Sequence, residues 1–200
     1  MYFFTSDIHF NDAETIIQCF RPFKTTKAFD RFVIKQFNKQ AKRKDTIFVI
    51  GDLVDCDNER SLSWKKSLKY IKKIKADVVL ILGNNEERVI NLFFNGDFNY
   101  FRYFCIKKMG FKDVFTSLNV TFNNQTFHLT HKPIDYKLGF INLFGHTHRG
   151  SGIYKPFGLN VCCDLHHYRL LSQNDIQYLL EIKKNYWDND QNINIMKVDK

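Results

Sequence analysis

Five short apolar runs punctuate the chain: Met1 to Phe4, Thr46 to Ile50, Val78 to Leu82, Thr126 to Thr130 and Ile141 to Phe144. Their length predicts strands. Between the first two, Thr26 is placed to cap a helix whose Phe29, Phe32, Val33 and Phe37 recur at helical spacing, with Ala41 continuing the stripe and Lys42 to Asp45 ending it. Ser61 is placed to cap a second helix, with Leu62, Leu68 and Ile71 inward and lysines outward, leading into the third run. This strand, helix, strand rhythm predicts a sheet with helices outside it.

From Val114 the pattern changes. Val114 to Ser117, Val120 to Phe122 and Thr126 to Thr130, around Asn123-Asn124, predict an antiparallel hairpin region. Before it lies an aromatic stretch, Phe93, Phe94, Phe98, Tyr100, Phe101, Tyr103 and Phe104, suited to filling a core or covering a cleft. Arg102 within it is a candidate contact for a substrate phosphate. Ser172 and Asp175 form a capping-box pattern ahead of Ile176, Leu179, Leu180 and Ile182, which predicts a final amphipathic helix. The residues after Trp187 are polar, so the expected division is one domain over 1–186 and a tail over 187–200 that frays.

Each apolar run stops in residues that bind metal: Asp7-Ile8-His9, Gly51-Asp52-Leu53-Val54-Asp55, Gly83-Asn84-Asn85-Glu86, His131 and Gly145-His146-Thr147-His148. Strands of one sheet layer, ending along one edge, would gather these oxygens and nitrogens into a single cluster. Any one of these motifs occurs by chance in many proteins; the ordered set at strand ends does not. Gly51, Gly83 and Gly145 stand between strand and ligand, where a turn with positive φ or a close approach needs no β-carbon.

The order Asp-x-His, Gly-Asp-x-x-Asp, Gly-Asn-x-Glu, His, Gly-His-x-His resembles the calcineurin-like metallophosphoesterase superfamily. The resemblance runs from Asp7 to His148 and onward to a strand expected over Asn160 to Asp164. It looks closest to small stand-alone bacterial and phage members, which open in the style of Phe4-Thr5-Ser6-Asp7 and carry an Arg-Pro-Phe like Arg21-Pro22-Phe23. It implies an α/β (α+β) fold, a two-sheet β-sandwich flanked by helices. It also assigns Asp7, His9, Asp52 and His148 to one divalent metal and Asp52, Asn84, His131 and His146 to a second. Asp52 is then the bridging carboxylate, and a hydroxide bridging the two metals attacks phosphorus.

Mixed imidazole and carboxylate donors favour manganese, with iron, zinc or cobalt as alternatives, over calcium or magnesium. Two carboxylates against two divalent cations leave the cluster net positive, which suits a phosphate ester. Asp55 is a candidate to orient a ligand or loop, with a turn or helix-cap role as the alternative.

The sequence departs from the family at two positions. Most members read Gly-Asn-His at the third motif, and that histidine contacts the scissile phosphate or protonates the leaving group. Here Asn85 stands in its place; an amide can donate a hydrogen bond to a phosphate oxygen but cannot deliver a proton. Glu86, His128, His166 and His167 are the candidates to supply one. Asp12 stands where close relatives often show a histidine.

Composition narrows the partners. At 200 residues with 44% hydrophobic content the chain suits a single domain. No run approaches the ~18 apolar residues of a membrane span and no signal-peptide pattern opens the chain, so a cytoplasmic location is expected. Five cysteines, an odd count that includes adjacent Cys162 and Cys163, suit a reducing compartment and buried thiols. The net charge of +9 favours nucleotides, nucleic acid or other phosphorylated partners, although Lys65, Lys66, Lys69, Lys72, Lys73 and Lys75 also read as a solvated helix face. The expected function is a metal-dependent phosphoesterase acting on a phosphodiester or nucleotide. A phosphomonoesterase and a catalytically weakened metal-binding interaction module are the alternatives.

Overall fold

The computed structural model describes residues 1–56, 63–150, 153–154 and 158–182. The first sheet contains β1 (Tyr2–Thr5), β2 (Thr46–Ile50), β3 (Asp77–Ile81) and β4 (Asp113–Phe115), all parallel, with β10 (Leu171–Ser172) antiparallel at the edge beside β1. The second sheet runs β5 (Leu118–Phe122), β6 (Gln125–Leu129), β7 (Ile141–Phe144), β9 (Gly158–Asn160), β8 (Ile153–Tyr154). Two-sheet architecture with flanking helices is thus the observed fold, as the resemblance implied.

Burial explains the near-continuous apolar runs. Phe3, Ile47, Val49, Val78 and Leu80 of the first sheet pack into one core, under the helices α2 (Thr26–Gln40), α3 (Ser63–Lys69), α4 (Asn84–Phe93) and α5 (Phe98–Phe104). Phe4, Phe48, Ile50, Val79 and Ile81, the alternate positions, pack into a second core against Phe122, Phe127, Leu129, Leu143 and Leu159 of the other sheet. Successive side chains point to opposite faces, so a strand covered on both must be apolar throughout.

Several expectations change. The strands that carry the motifs come from two sheets rather than one layer: β1 to β3 from the first, β6 and β7 from the second. Val114 and Phe115 belong to β4, parallel to β3, not to the hairpin. The hairpin itself is β5 and β6, antiparallel around Asn123 and Asn124, both at positive φ. The strand expected over Asn160 to Asp164 is instead Gly158–Asn160, with only a single bridge from Cys162 to Ser6 beyond it. Thr25, not Thr26, caps α2, its side chain accepting from the Ala28 N–H. The helix cap expected at Ser61 and the 187–200 tail lie outside the described residues.

Other expectations hold. The phenylalanines of the aromatic stretch belong to the core, whereas Tyr100 and Tyr103 are exposed: Phe94 and Phe101 are buried, and Phe93, Phe94 and Phe104 ring Trp64 at centroid distances of 5.3 to 5.9 Å. Ser172 and Asp175 bond reciprocally at the start of α6 (Gln173–Ile182). All five cysteines are free and buried. No helix among the described residues is long and apolar enough to cross a membrane.

Candidate metal centre

The parallel pairing of β1, β2 and β3 sends their C-terminal ends to one edge, where the loop backbones tie together. Asp7 N–H donates to Gly51 O at 3.0 Å, His9 N–H to Asp52 O at 3.0 Å, and Gly145 N–H to His131 O at 2.9 Å. Asp7, His9, Asp52, His146 and His148 all hold positive φ, between 43° and 70°. A non-glycine residue in that region costs about 1–2 kcal/mol, and such strain collects where side chains must converge. Of the three motif glycines only Gly51 is left-handed, φ 81°. Close approach explains the others: a β-carbon at Gly83 would strike Asp52, and one at Gly145 would strike Ser6 and Asp7.

Two groups of donors result. The ligand atoms of Asp7, His9 and His148 lie within 4.8 Å of one another, and so do those of Asp52, His131 and His146. Asp52 Oδ2 joins the groups, 3.6 Å from His9 Nε2 and 3.4 Å from His131 Nε2. Asn84 Oδ1 lies 3.2 Å from His131 Nε2. His146, the most open of the set, is fixed through its backbone N–H, which donates to both Asp7 carboxylate oxygens at 2.9 and 3.0 Å.

The hydrogen bonds choose which imidazole nitrogen faces inward. His131 Nδ1 pairs with the Ile50 carbonyl at 2.9 Å and His148 Nδ1 with Asp164 Oδ2 at 2.8 Å, leaving each Nε2 toward the carboxylates. His9 is 6% exposed, yet neither ring nitrogen has a hydrogen-bond partner. A buried imidazole without partners is costly unless a cation takes a lone pair, so these residues fit a metal.

Charges within the cluster stand where a cation would replace protons. Burial lowers the His131 ring, but the hydrogen bond and charge of Asp52 outweigh it and raise it to about 9. Burial likewise opposes the charged His148 ring, but bonds to Asp164 and Cys19 raise it to about 10. A histidine raised above its unfolded value of about 6.5 stabilises the fold fully below that pH and loses the contribution as pH climbs through the folded value. Metal-free protein is therefore expected to melt at progressively lower temperature from pH 6.5 to pH 10. A bound cation takes neutral imidazole and releases those protons, so thermal melts with manganese should lack this decline. Parallel profiles with and without metal would exclude His131 and His148 as ligands.

Three residues that support the cluster carry no role legible in the sequence. Arg21, 4% exposed, forks onto Asp164 at 2.8 and 2.9 Å and donates to the carbonyls of Ile8 and Asp7 at 2.8 and 2.7 Å. Asp164 in turn orients His148, and Cys19 Sγ lies 3.2 Å from His148 Nδ1. The Arg-Pro-Phe motif is visible in the chain, but its partner lies 143 residues away. Arg21→Met is expected to cost about 3–5 kcal/mol in denaturant unfolding of the metal-free protein, the penalty for breaking a buried pair. A loss under ~1 kcal/mol would show that His148 alone satisfies Asp164.

The remaining candidates sit as follows. Glu86 is fully buried, and its carboxylate accepts the N–H groups of Gly83, Asp52, Leu53 and Val54 at 2.9 to 3.1 Å. Burial, then the Asp52 charge, push it up to about 7. With both oxygens bonded to backbone, Glu86 locks the two loops together and has no free face for a substrate proton. His128 pairs with Asn119 at 2.7 Å across β5 and β6, and His166 Nε2 bonds the Asn160 carbonyl at 2.9 Å. His167 is exposed and lines a cavity with Phe20, Arg149 and Asp164. Arg102 forks onto Asp113 at 2.7 and 3.0 Å through two of its five N–H donors. Asp55 lines a groove with His9 and Asp12. Asp12 caps α1 (Ala13–Gln18) through the Glu14 and Thr15 N–H groups and lies 3.5 Å from His9 Nδ1. Asn85 is half-buried, and its backbone N–H donates to Asp52 Oδ1 at 3.0 Å.

Similarity to known proteins covers the same span. A protein of unknown function from Aquifex aeolicus has a similar structure, TM-score 0.61 at 20% identity, covering 90% of this chain and 98% of that one. An archaeal phosphodiesterase aligns at TM-score 0.47 and 18% identity over 80% of this chain and 81% of its own. An uncharacterised protein of Methanocaldococcus jannaschii is 26% identical over 185 residues, 88% of this chain and 89% of the relative. The model of the calcineurin-like phosphoesterase family matches residues 2–189, a span that includes every residue of the cluster, and the chain belongs to that family of metal-dependent phosphoesterases.

Proposed function

We propose that the protein hydrolyses a phosphodiester or nucleotide at a pair of divalent cations, manganese first among them, with iron, zinc and cobalt as alternatives. The observation that carries this reading is Asp52 Oδ2 between two imidazole nitrogens, 3.6 and 3.4 Å away, where one carboxylate can serve two ions. Such a pair supplies Lewis acidity and lowers the pKa of bound water toward neutrality.

The chain's own residues divide the remaining work. Asp7, His9 and His148 would hold one ion and Asn84, His131 and His146 the other, with Asp52 between. Asp164 and the Ile50 carbonyl fix the tautomers of His148 and His131, so each presents Nε2. Asn85, second residue of α4, offers its side-chain NH₂ to a phosphate oxygen and holds Asp52 through its backbone. It positions and does not protonate. The substrate therefore needs a leaving group that departs without a protein acid, and the +9 charge supports a polyanionic substrate such as a nucleotide or nucleic acid.

Metal analysis of protein dialysed against manganese is expected to find two ions per chain. Turnover of an aryl phosphodiester should exceed that of the matching monoester in kcat/KM. One ion per chain sinks the paired site; a preference for the monoester sinks the diester reading; no turnover of either by the two-ion protein favours the interaction module.

A further inference from the structure

Away from the metal cluster, the start of α2 meets α3 and the helical turn Tyr70–Lys73 across a cavity of about 300 Å³. Lys27 and Arg31 line it from one side, Lys66 and Lys73 from the other, with Thr26 and Tyr70 between. No carboxylate lines it. Among the described residues none of the four cations forms an ion pair. Lys66 Nζ instead donates to the Asn11 side-chain oxygen at 2.8 Å, and Lys73 Nζ lies over the Tyr70 ring at 4.5 Å.

Lysines on a solvated helix face need no partner, but they spread apart. Here four basic residues from two segments of the chain line one concavity. Other lysines of the same region, Lys65, Lys69, Lys72 and Lys75, do not line it. The first turn of α2 adds to the field. It holds no acidic residue, and among the described residues the N–H groups of Thr26 and Lys27 have no hydrogen-bond acceptor. A 15-residue helix presents partial positive charge at that end, where backbone N–H groups favour phosphate. The carboxylate beneath, Asp30, is 1% exposed and accepts the Asn11 N–H at 3.1 Å.

We propose that this cavity is a second anion site, separate from the metal cluster, that binds a run of phosphates. Four cations, even with Asp30 beneath facing Lys66 and Lys73, exceed what one phosphate group, at most doubly charged, would balance. Consecutive phosphates match them, whether from a single strand of nucleic acid or from a free polyphosphate chain. This goes beyond the phosphoesterase reading and does not rest on it.

The test uses full-length protein stripped with EDTA, so that the metal cluster holds no phosphate. Binding of a fluorescein-labelled single-stranded oligodeoxynucleotide is followed by anisotropy at rising salt, and binding of tripolyphosphate by calorimetry. Lys27→Ala/Arg31→Ala and Lys66→Ala/Lys73→Ala are each expected to weaken binding about tenfold. For the oligonucleotide each pair should also flatten the slope of log affinity against log salt by about 1.4, ~0.7 for each phosphate no longer neutralised. Lys107→Ala/Lys108→Ala, equal in charge change but outside the cavity, should leave both quantities near the parent. Oligonucleotide binding without tripolyphosphate binding identifies the strand as the source, and the reverse identifies free polyphosphate. Absence of both, or an equal loss in the Lys107/Lys108 control, overturns the proposal. Failure of hydrolysis at the metal cluster changes none of these readings.

Discussion

Asp52→Asn is expected to reduce manganese-dependent hydrolysis of an aryl phosphodiester by at least about a thousandfold in kcat/KM, the scale of losing the charge stabilisation that a metal pair supplies. Both carboxylate oxygens are in use. Oδ2 sits between His9 Nε2 and His131 Nε2, and Oδ1 accepts the Asn85 N–H. Asparagine keeps one acceptor oxygen but sets an NH₂ where the other served, so either the shared place of Oδ2 or the acceptor for the Asn85 N–H loses its oxygen. The substitution also removes one of two negative charges that hold two dications together. Substrate affinity alone does not account for such a loss, so the fall belongs in kcat, with metal content dropping below two per chain. Because the Asp52 carboxyl is held down to about 2, burial being outweighed by the His131 bond and charge, metal-free Asp52→Asn should also lose stability. That loss should disappear as pH falls through about 2 to 4, where the parent's own Asp52 becomes protonated. Turnover within tenfold of the parent would remove Asp52 from the chemistry.

The ends of the strands are legible because their signal is local. An apolar run such as Val78 to Leu82 stops at a glycine, and polar donors cannot follow into a core, so the position of Asn84 or His131 at a strand end is written in adjacent residues. Which sheet a run joins is not. Val114 and Phe115 read as part of a hairpin because turn residues follow them, yet β3 offers an open parallel edge that a short apolar pair can fill. The same limit hides Arg21 and Asp164. A buried ion pair has no periodicity, and nothing near either residue marks its partner. Glu86 misleads for a related reason. A carboxylate beside the catalytic position suggests proton transfer, and only the folded loops reveal four backbone N–H groups converging on it.

Asn85→His is expected to accelerate hydrolysis of a diester with an alkyl leaving group by about 10²-fold, and of the p-nitrophenyl analogue by less than ~3-fold, since general acid catalysis helps only where the departing oxygen needs a proton. Position 85 is the second residue of α4, and its N–H anchors to Asp52 Oδ1, so the backbone is already fixed to the cluster before any side chain is chosen. An imidazole introduced there must find its own orientation. Glu86, the adjacent carboxylate, is bound on both oxygens by the loops of β2 and β3 and cannot turn to hold it. The new acid should therefore titrate near the ordinary histidine range, and the alkyl-ester rate should gain a falling limb as pH rises above about 6.5, where the ring loses its proton. The parent, with an amide at this position, should show no such limb. If both leaving groups respond equally, or both slow down, then the pocket around Asn85 is built for the amide itself, whose NH₂ holds a phosphate oxygen that a protonated ring would displace.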